Sequence, residues 1–357
     1  MKKFYPCLEI DLRKIGNNAK VINKLCSEEN INIVGVSKVF LARKPIVKEF
    51  LDAGIKIMGD SRISNLKKLI GFSCEKMLLR IPMESDIEEV VLYSDYSLNS
   101  EIDTIISIDK ASEKLGKIHK IILMIDLGDL REGIMENEVL NVVDKIINLK
   151  NIKLSGIGTN LTCYGGVIPD KENLGRLIEI KKSIDDKYKT KLPIISGGNS
   201  SSLYMVVDKT IPKGINQLRI GEGIVLGRET SYGNIIPGCF NDAFKLKGEI
   251  IEIKEKPSSP KGHLGIDAFG NKPVFKDKGI MKRAILAVGR QDILINGLKP
   301  DDNYLEIIGA SSDHLILDVT KCKNVYKVGD ILSFNLSYGA LLAAMTSPYV
   351  KKYYEKR

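Results

Sequence analysis

The sequence predicts a (β/α)8 TIM-type barrel followed by a C-terminal all-β domain. Three observations carry this reading. Up to about residue 230, short β-branched runs alternate with longer amphipathic ones. Eight such strand-like runs occur in order, the number that closes an α/β barrel of the usual ~250 residues. Beyond about Leu226 the texture changes, and strand signals follow one another without intervening helices.

In order, the strand-like runs are INIVGVSK (31–38), IKIMGD (55–60), KMLLRIP (76–82), VVLYSDY (90–96), IHKIILMIDLG (118–128), IKLSGIGT (152–159), LPIISGG (192–198) and NQLRIGE (216–222). A helix-like stretch from Arg13 to Glu29 precedes the first. Others run from Arg43 to Ala53, Ser61 to Gly71, Asn99 to Leu115, Glu136 to Leu149, Asp170 to Tyr188 and Ser200 to Asp208, with a short one near Glu84 to Glu89. A doubly wound open sheet shows the same alternation, because strand number alone does not prove closure. The barrel is expected to occupy residues 1–230 and the β domain residues 231–357. In the second domain, FKLKGEIIEIKEK, RAILAVGRQD, YLEIIGA, HLILDVT and GDILSFNLS read as strands. Turn-rich segments such as SSPKGHLGIDAFGNKP and INGLKPDDN separate them. The closing stretch YGALLAAMTSPYVKKYY reads as a final helix or an extended tail.

Composition narrows the function. Hydrophobic residues make up 43% and charged residues 28% of the chain, an ordinary globular balance. No apolar run reaches membrane-span length. The start MKKFYPCLEIDLRKI has Glu9 and Asp11 where a signal peptide needs its apolar core, so a cytoplasmic protein is expected. The six cysteines are scattered without a CxxC pair, and the three histidines form no HxH or HExxH pattern. Reduced thiols and no metal centre are therefore expected. The net charge of +9 is spread among interleaved acids. It reads as a lysine-rich solvated surface and not as a nucleic-acid footprint.

Functional groups of such barrels gather at the C-terminal ends of the strands. The first strand ends at Ser37-Lys38. A lysine closing the apolar run GVSKVF is either an ordinary strand-end residue whose head reaches water, or an amine desolvated for Schiff-base chemistry. The seventh ends in SGGNSSS, where glycines followed by hydroxyls at a helix start suit a phosphate dianion; a serine-rich N-cap explains the same letters. The eighth ends in RIGEG, with Arg219 pointing inward and Gly221 and Gly223 allowing close backbone approach. An amine, a phosphate cradle and an arginine in one mouth together suit a phosphate-bearing aldehyde cofactor.

These motifs, GVSKVF, GDSRISN, SGGNSSS and LRIGEGIVLGRE, resemble those of the alanine racemase family of fold type III pyridoxal-phosphate enzymes. Their spelling, with the added β domain, is most similar to the ornithine racemases within it. The resemblance covers the whole barrel and, more loosely, the second domain. It implies pyridoxal 5'-phosphate as cofactor and Lys38 as the lysine that carries it. It further implies Asn199 and Ser200 at the phosphate, with backbone amides of Gly221 and Glu222 completing that site. Arg219 would face the pyridine nitrogen, and Arg131, in DLGDLREG, would stand near the phenolic oxygen. Tyr349, in SPYV, resembles a late tyrosine that reaches the phosphate. The implied activity is racemisation of an amino acid at Cα, with one base on each face of that carbon, by a head-to-tail homodimer sharing its active site. The only partner implied is a small amino-acid substrate, with no nucleic acid and no membrane.

Departures from the family pattern are equally legible. Arg290, in GRQDI, stands where the family has a catalytic tyrosine in GYxDG. Tyr338, His314 and Asp292 are the candidates for the second base. Asn160 replaces a ring-stacking histidine, and Met124 a carbamylatable lysine. The resemblance points to a basic substrate, ornithine first, and a distal ammonium needs a carboxylate. Asp292 and Asp313 are the candidates, each equally readable as a solvated turn acid. Two other readings share the barrel motifs. A non-catalytic cofactor carrier is disfavoured by the second domain. A metal-assisted lyase of the D-threonine aldolase or D-serine dehydratase kind would draw ligands from SSDHLILD, which offers His314 and Asp318.

Overall fold

Residues 3–272 and 274–356 are described by the computed structural model. Regular structure starts with β1 (Cys7–Asp11) and α1 (Leu12–Glu28). Eight parallel strands then close into a barrel: β2 (Asn32–Val36), β3 (Ile57–Asp60), β4 (Glu75–Leu78), β5 (Tyr96–Asn99), β6 (His119–Met124), β7 (Ile152–Gly158), β8 (Ile194–Ser196) and β9 (Gln217–Ile220). Closure is made by β2 against β9, with Val34 opposite Arg219 and Gly35 opposite Ile220. Between and after the strands run α2 (Lys44–Asp52), α3 (Ile63–Lys67), α4 (Ile87–Tyr93), α5 (Ile102–Lys114), α6 (Val139–Ile146), α7 (Lys171–Tyr188), α8 (Leu203–Val207) and α9 (Glu222–Leu226).

The helices follow from their apolar spacing. In α1, Leu12, Ile15, Ala19, Ile22 and Cys26 recur at helical intervals and are all buried. A capping box starts α7, Asp170 accepting from the Asn173 amide at 2.7 Å while the Asn173 side chain accepts from Asp170 N–H. Inside the barrel, Val34, Met77, Tyr96, Leu98, Ile122 and Met124 form one buried cluster. The interior is thus a packed core and not a pore.

One strand differs from the sequence reading. The run VVLY at 90–93 lies in α4, and β5 is the following segment Tyr96–Asn99. Glu88 and Glu89 favour a helix N-terminus there, and Val90 and Val91 supply its buried face. All four residues of YSLN are buried, which the barrel wall requires.

The compact units are Leu12–Asn241 and, separately, Met1–Asp11 with Asp242–Arg357. The division after Asn241 falls later than residue 230, and β1 belongs with the β unit although it precedes the barrel. The reason is pairing: β1 lies antiparallel to β10 (Phe244–Pro257) and parallel to a strand at the other chain end. The β unit continues through β11 (Ile280–Leu286), β12 (Leu298–Pro300), β13 (Glu306–Ala310), β14 (Leu315–Asp318) and β15 (Ile331–Leu336). These strands are ordered β12-β15-β10-β11-β14-β13. The closing stretch is both of the forms expected, helix α10 (Tyr338–Thr346) and then strand β16 (Lys351–Glu355), which pairs β1. Among the described residues no helix is long and apolar enough to cross a membrane.

Candidate active site

Lys38 follows β2 directly and opens a single 3-10 turn, Lys38–Phe40. It is exposed, the water-reaching one of the two readings that GVSKVF allows: Val39 and Phe40 turn inward while Lys38 lies on the rim. The turn beneath it is held firmly. Ser37 is fully buried and donates from Oγ to Asp60 at 2.6 Å. Asp60 also accepts from Asn65 and from the Arg62 amide, each at 3.0 Å. Burial pushes the Asp60 carboxyl up, and these donors pull against that rise. Leu41 and Ala42 both adopt left-handed backbone, φ 55° and 51°, each costing of order 1–3 kcal/mol that surrounding contacts must offset. Such strain clusters at working sites.

The serine turn and the glycine turn meet. Asn199 caps the turn Ser200–Ser202, its side chain accepting from the Ser201 amide at 2.9 Å and donating to the Leu161 carbonyl at 3.0 Å. Ser200 Oγ accepts from Gly223 N–H at 3.0 Å. A Cβ on Gly223 would lie 2.5 Å from Leu203 Cδ1, so any larger residue would push that side chain aside. Gly221 packs against Val36, two residues before Lys38. The side chain of Glu222 is taken by Arg228 at 2.8 Å, leaving its backbone as the part that faces a ligand in the expected role. Ser201 is fully buried, and among the described residues its Oγ has no hydrogen-bond partner.

Arg219 reaches past β8 to the end of β7. It is 4% exposed and donates to Ser196 Oγ, to the Thr159 carbonyl at 2.5 Å and to Asn160 Oδ1 at 2.7 Å. Burial lowers its pKa to about 10, still far above neutrality, so the guanidinium stays charged. Arg131 stands in the loop after β6, which Asp126 organises by accepting from the amides of Gly128 and Leu130. Its guanidinium pairs with Glu132, the neighbour in sequence, through Nε and through Nη2 at 2.8 Å. Asn160 Nδ2 also donates to Glu132. A continuous chain therefore runs Arg131–Glu132–Asn160–Arg219. Glu132 was not foreseen; the only trace in the sequence is an acid directly after the motif arginine.

The β unit, by itself, places the remaining candidates in two groups. Asp292 is 4% exposed and accepts from Ser347 Oγ at 2.6 Å. The same Ser347 oxygen accepts from the Tyr349 amide at 3.1 Å. Asp292 thus holds the SPYV turn, while the Tyr349 side chain is exposed. In the second group the loops GRQD and SSDH lie side by side, with Arg290 N–H donating to Ser311 and Gln291 N–H to Ser312, both at 3.0 Å. That brings Arg290, Asp313 and His314 to one edge, with Asp313 and His314 paired at 2.8 Å. The imidazole beside Asp313 holds its carboxyl below the usual range. Tyr338 is half-buried at the start of α10. Among the described residues no group of three His, Cys, Asp or Glu is placed to hold a metal.

Comparison with known proteins joins these observations. The family pattern described as alanine racemase, N-terminal domain, matches residues 10–229. The chain is 52% identical to an ornithine racemase of Acetoanaerobium sticklandii, over 98% of this chain and 99% of that one. It is 44% identical to a lysine racemase of Thermotoga maritima, with the same coverage. Among solved structures, the alanine racemase of Streptomyces coelicolor superposes with TM-score 0.77 over 98% of each chain at 13% identity. That of Bartonella henselae, with covalently bound pyridoxal phosphate, gives 0.75 at 16% identity over 99% of this chain and all of the other. These last likenesses bear on the fold alone. With the matched pattern spanning the barrel and two relatives matching nearly end to end, the chain belongs to the alanine racemase family.

Proposed function

We propose that this chain is a pyridoxal-phosphate-dependent racemase of basic amino acids, with ornithine as its first substrate. The observation that carries this reading is near full-length identity to both an ornithine and a lysine racemase. The two share a substrate class with a distal ammonium.

The residues fit the cofactor. The hydroxyl-rich turn Asn199–Ser202, the close-approach glycines at 221 and 223, and the unpartnered Ser201 Oγ suit a phosphate. Lys38 stands on the adjoining rim, and Tyr349 is assigned to the phosphate from the β unit. When bound, pyridoxal phosphate supplies the conjugated ring that acidifies the α-proton of an attached amino acid. Everything else falls to the chain. Lys38 removes or returns a proton at Cα on one face. Arg219 is only a donor, so a ring nitrogen set against it stays unprotonated. That favours quick return of the proton over side reactions. Arg131 would present its charge to the cofactor's phenolic oxygen. On the opposite face, Asp292 is buried against Ser347, which favours Tyr338 or His314 as the second base. For the distal ammonium, exposed Asp313 is favoured over buried Asp292 on the same ground. The active form is a head-to-tail homodimer sharing the site, because bases on both faces of Cα must converge. The setting is cytoplasmic, with no nucleic acid or membrane as partner.

The test is incubation of holoprotein with L-ornithine, L-lysine, L-alanine and D-threonine in D2O, read by chiral separation with mass detection. The expected result is D-ornithine carrying one deuterium at Cα. Borohydride reduction should fix the cofactor on the peptide containing Lys38, and Lys38→Ala should abolish that adduct. Cleavage of D-threonine without racemisation of any basic amino acid would overturn the reading.

A further inference from the structure

We propose that Glu132 is a positioning residue of this site, coupling Arg131 to Arg219 through Asn160 so that both guanidinium groups hold one orientation. The inference rests on the racemase reading above.

The contacts are directional. Asn160 Oδ1 accepts from Arg219 at 2.7 Å while its Nδ2 donates to Glu132. A flipped amide would place donor against donor at Arg219 and acceptor against acceptor at Glu132, so the amide orientation is set from both ends. Glu132 in turn offers one oxygen to Arg131 Nε and the other to both Arg131 Nη2 and Asn160. A fork of this kind fixes the guanidinium plane as well as its position. Both its oxygens accept from these donors.

Burial distinguishes this from an ordinary surface pair. Arg131 and Glu132 alone, at 39% and 18% side-chain exposure, would be worth ~0–1 kcal/mol. Asn160 and Arg219, however, are 9% and 4% exposed, and the direct partners of Arg219 are all neutral. Two cations in one mouth repel, and Glu132 is the carboxylate linked to both. Burial acts to discharge Arg219, and the Glu132 charge acts against it. Gly133 sets the placement: its φ is +140°, and a Cβ would lie 2.3 Å from the Asp126 amide. The chain therefore turns back immediately after Glu132, and Asp126 N–H donates to the Ile134 carbonyl at 3.0 Å.

The experiment compares wild-type holoenzyme with Glu132→Gln, Glu132→Asp, Asn160→Ala and the Glu132→Gln/Asn160→Ala double variant. Each is examined by thermal melting, by the Kd of pyridoxal 5'-phosphate followed in the visible spectrum, and by KM and kcat for ornithine. Glu132→Gln should raise both Kd and KM about tenfold, the loss of a charge-assisted fork, with a smaller change in kcat and an unshifted melt. Glu132→Asp should recover part of the loss. The double variant should be no worse than the poorer single variant, because both break one chain. Wild-type values for Glu132→Gln, or effects that multiply in the double variant, overturn the proposal. Should Glu132→Gln not fold, an unchanged Kd in Asn160→Ala and Glu132→Asp overturns it equally. A wild type that binds cofactor but racemises no basic amino acid sinks the function instead, and the Kd comparison still decides this proposal.

Discussion

His119 ties the barrel's stability to pH at the end remote from the chemistry. It is the first residue of β6 and 2% exposed, with Nε2 2.9 Å from Ser97 Oγ. Asn99 Nδ2 donates to that same Oγ at 2.8 Å, and the imidazole beside it is neutral. Burial lowers the His119 pKa from 6.5 to about 4. Between those values the unfolded chain binds a proton that the folded chain refuses, so stability falls as pH falls. The loss begins near 6.5 and levels off below about 4. Its limit is about 3 kcal/mol, and most of it falls between pH 7.5 and 4.5. Urea unfolding of wild type and His119→Gln across that interval isolates the contribution, since other titrating groups are common to both. The variant is less stable at pH 7.5, where the Ser97 contact counts, and the gap should narrow by about 2–3 kcal/mol at pH 4.5. Parallel stability curves for the two proteins would refute the assignment of a neutral buried imidazole.

Three further outcomes are expected. Asn18 is fully buried and bonds Ile224 and Phe240 carbonyls and the Phe240 amide. Asn18→Ala should cost about 2–4 kcal/mol in denaturant unfolding by leaving these groups unpaired. Gly133→Ala should lower kcat/KM at least about tenfold with a cooperative melt retained, because it displaces Arg131 and Glu132 while leaving the strands intact. Mixing inactive Lys38→Ala chains with chains inactivated by Tyr338→Phe or His314→Ala should restore activity through hybrid dimers. Full activity in a strictly monomeric preparation would contradict the shared site.

Much of the fold was legible because the barrel imposes two periods at once. Fully buried parallel strands read as continuous apolar runs, and α1 and α7 read as amphipathic ones. The misplaced fourth strand shows where that fails: VVLY has strand propensity, but two glutamates before it and a buried segment after it shift it to a helix. β1 was missed because a short strand reveals neither its partners nor the unit it joins, and those partners lie over 230 positions away. At the site, Lys38, Arg219 and the serine turn were readable because each ends a strand. For Lys38 the sequence left two readings open, exposed or desolvated, and the 3-10 turn after the strand sets it on the exposed side. Glu132 was hidden for a different reason. Its partner Asn160 lies on another loop, and adjacency to Arg131 alone resembles any surface pair.

The sheet that unites both chain ends sets an order of assembly. β1 precedes the barrel, yet the strands it pairs with are β10 and β16, which follow it. During synthesis, residues 12–241 contain every strand of the barrel and can close it once β9 has emerged, as domains do. β1 meanwhile has exposed ladder groups on both sides and no partner to occupy them. Its edges remain templates for stray strands until translation passes Lys351. The barrel therefore has a head start, while the sheet is sealed last by a contact spanning nearly the whole polypeptide. A ribosome stalled between the two events would carry a finished barrel and an adhesive leading strand.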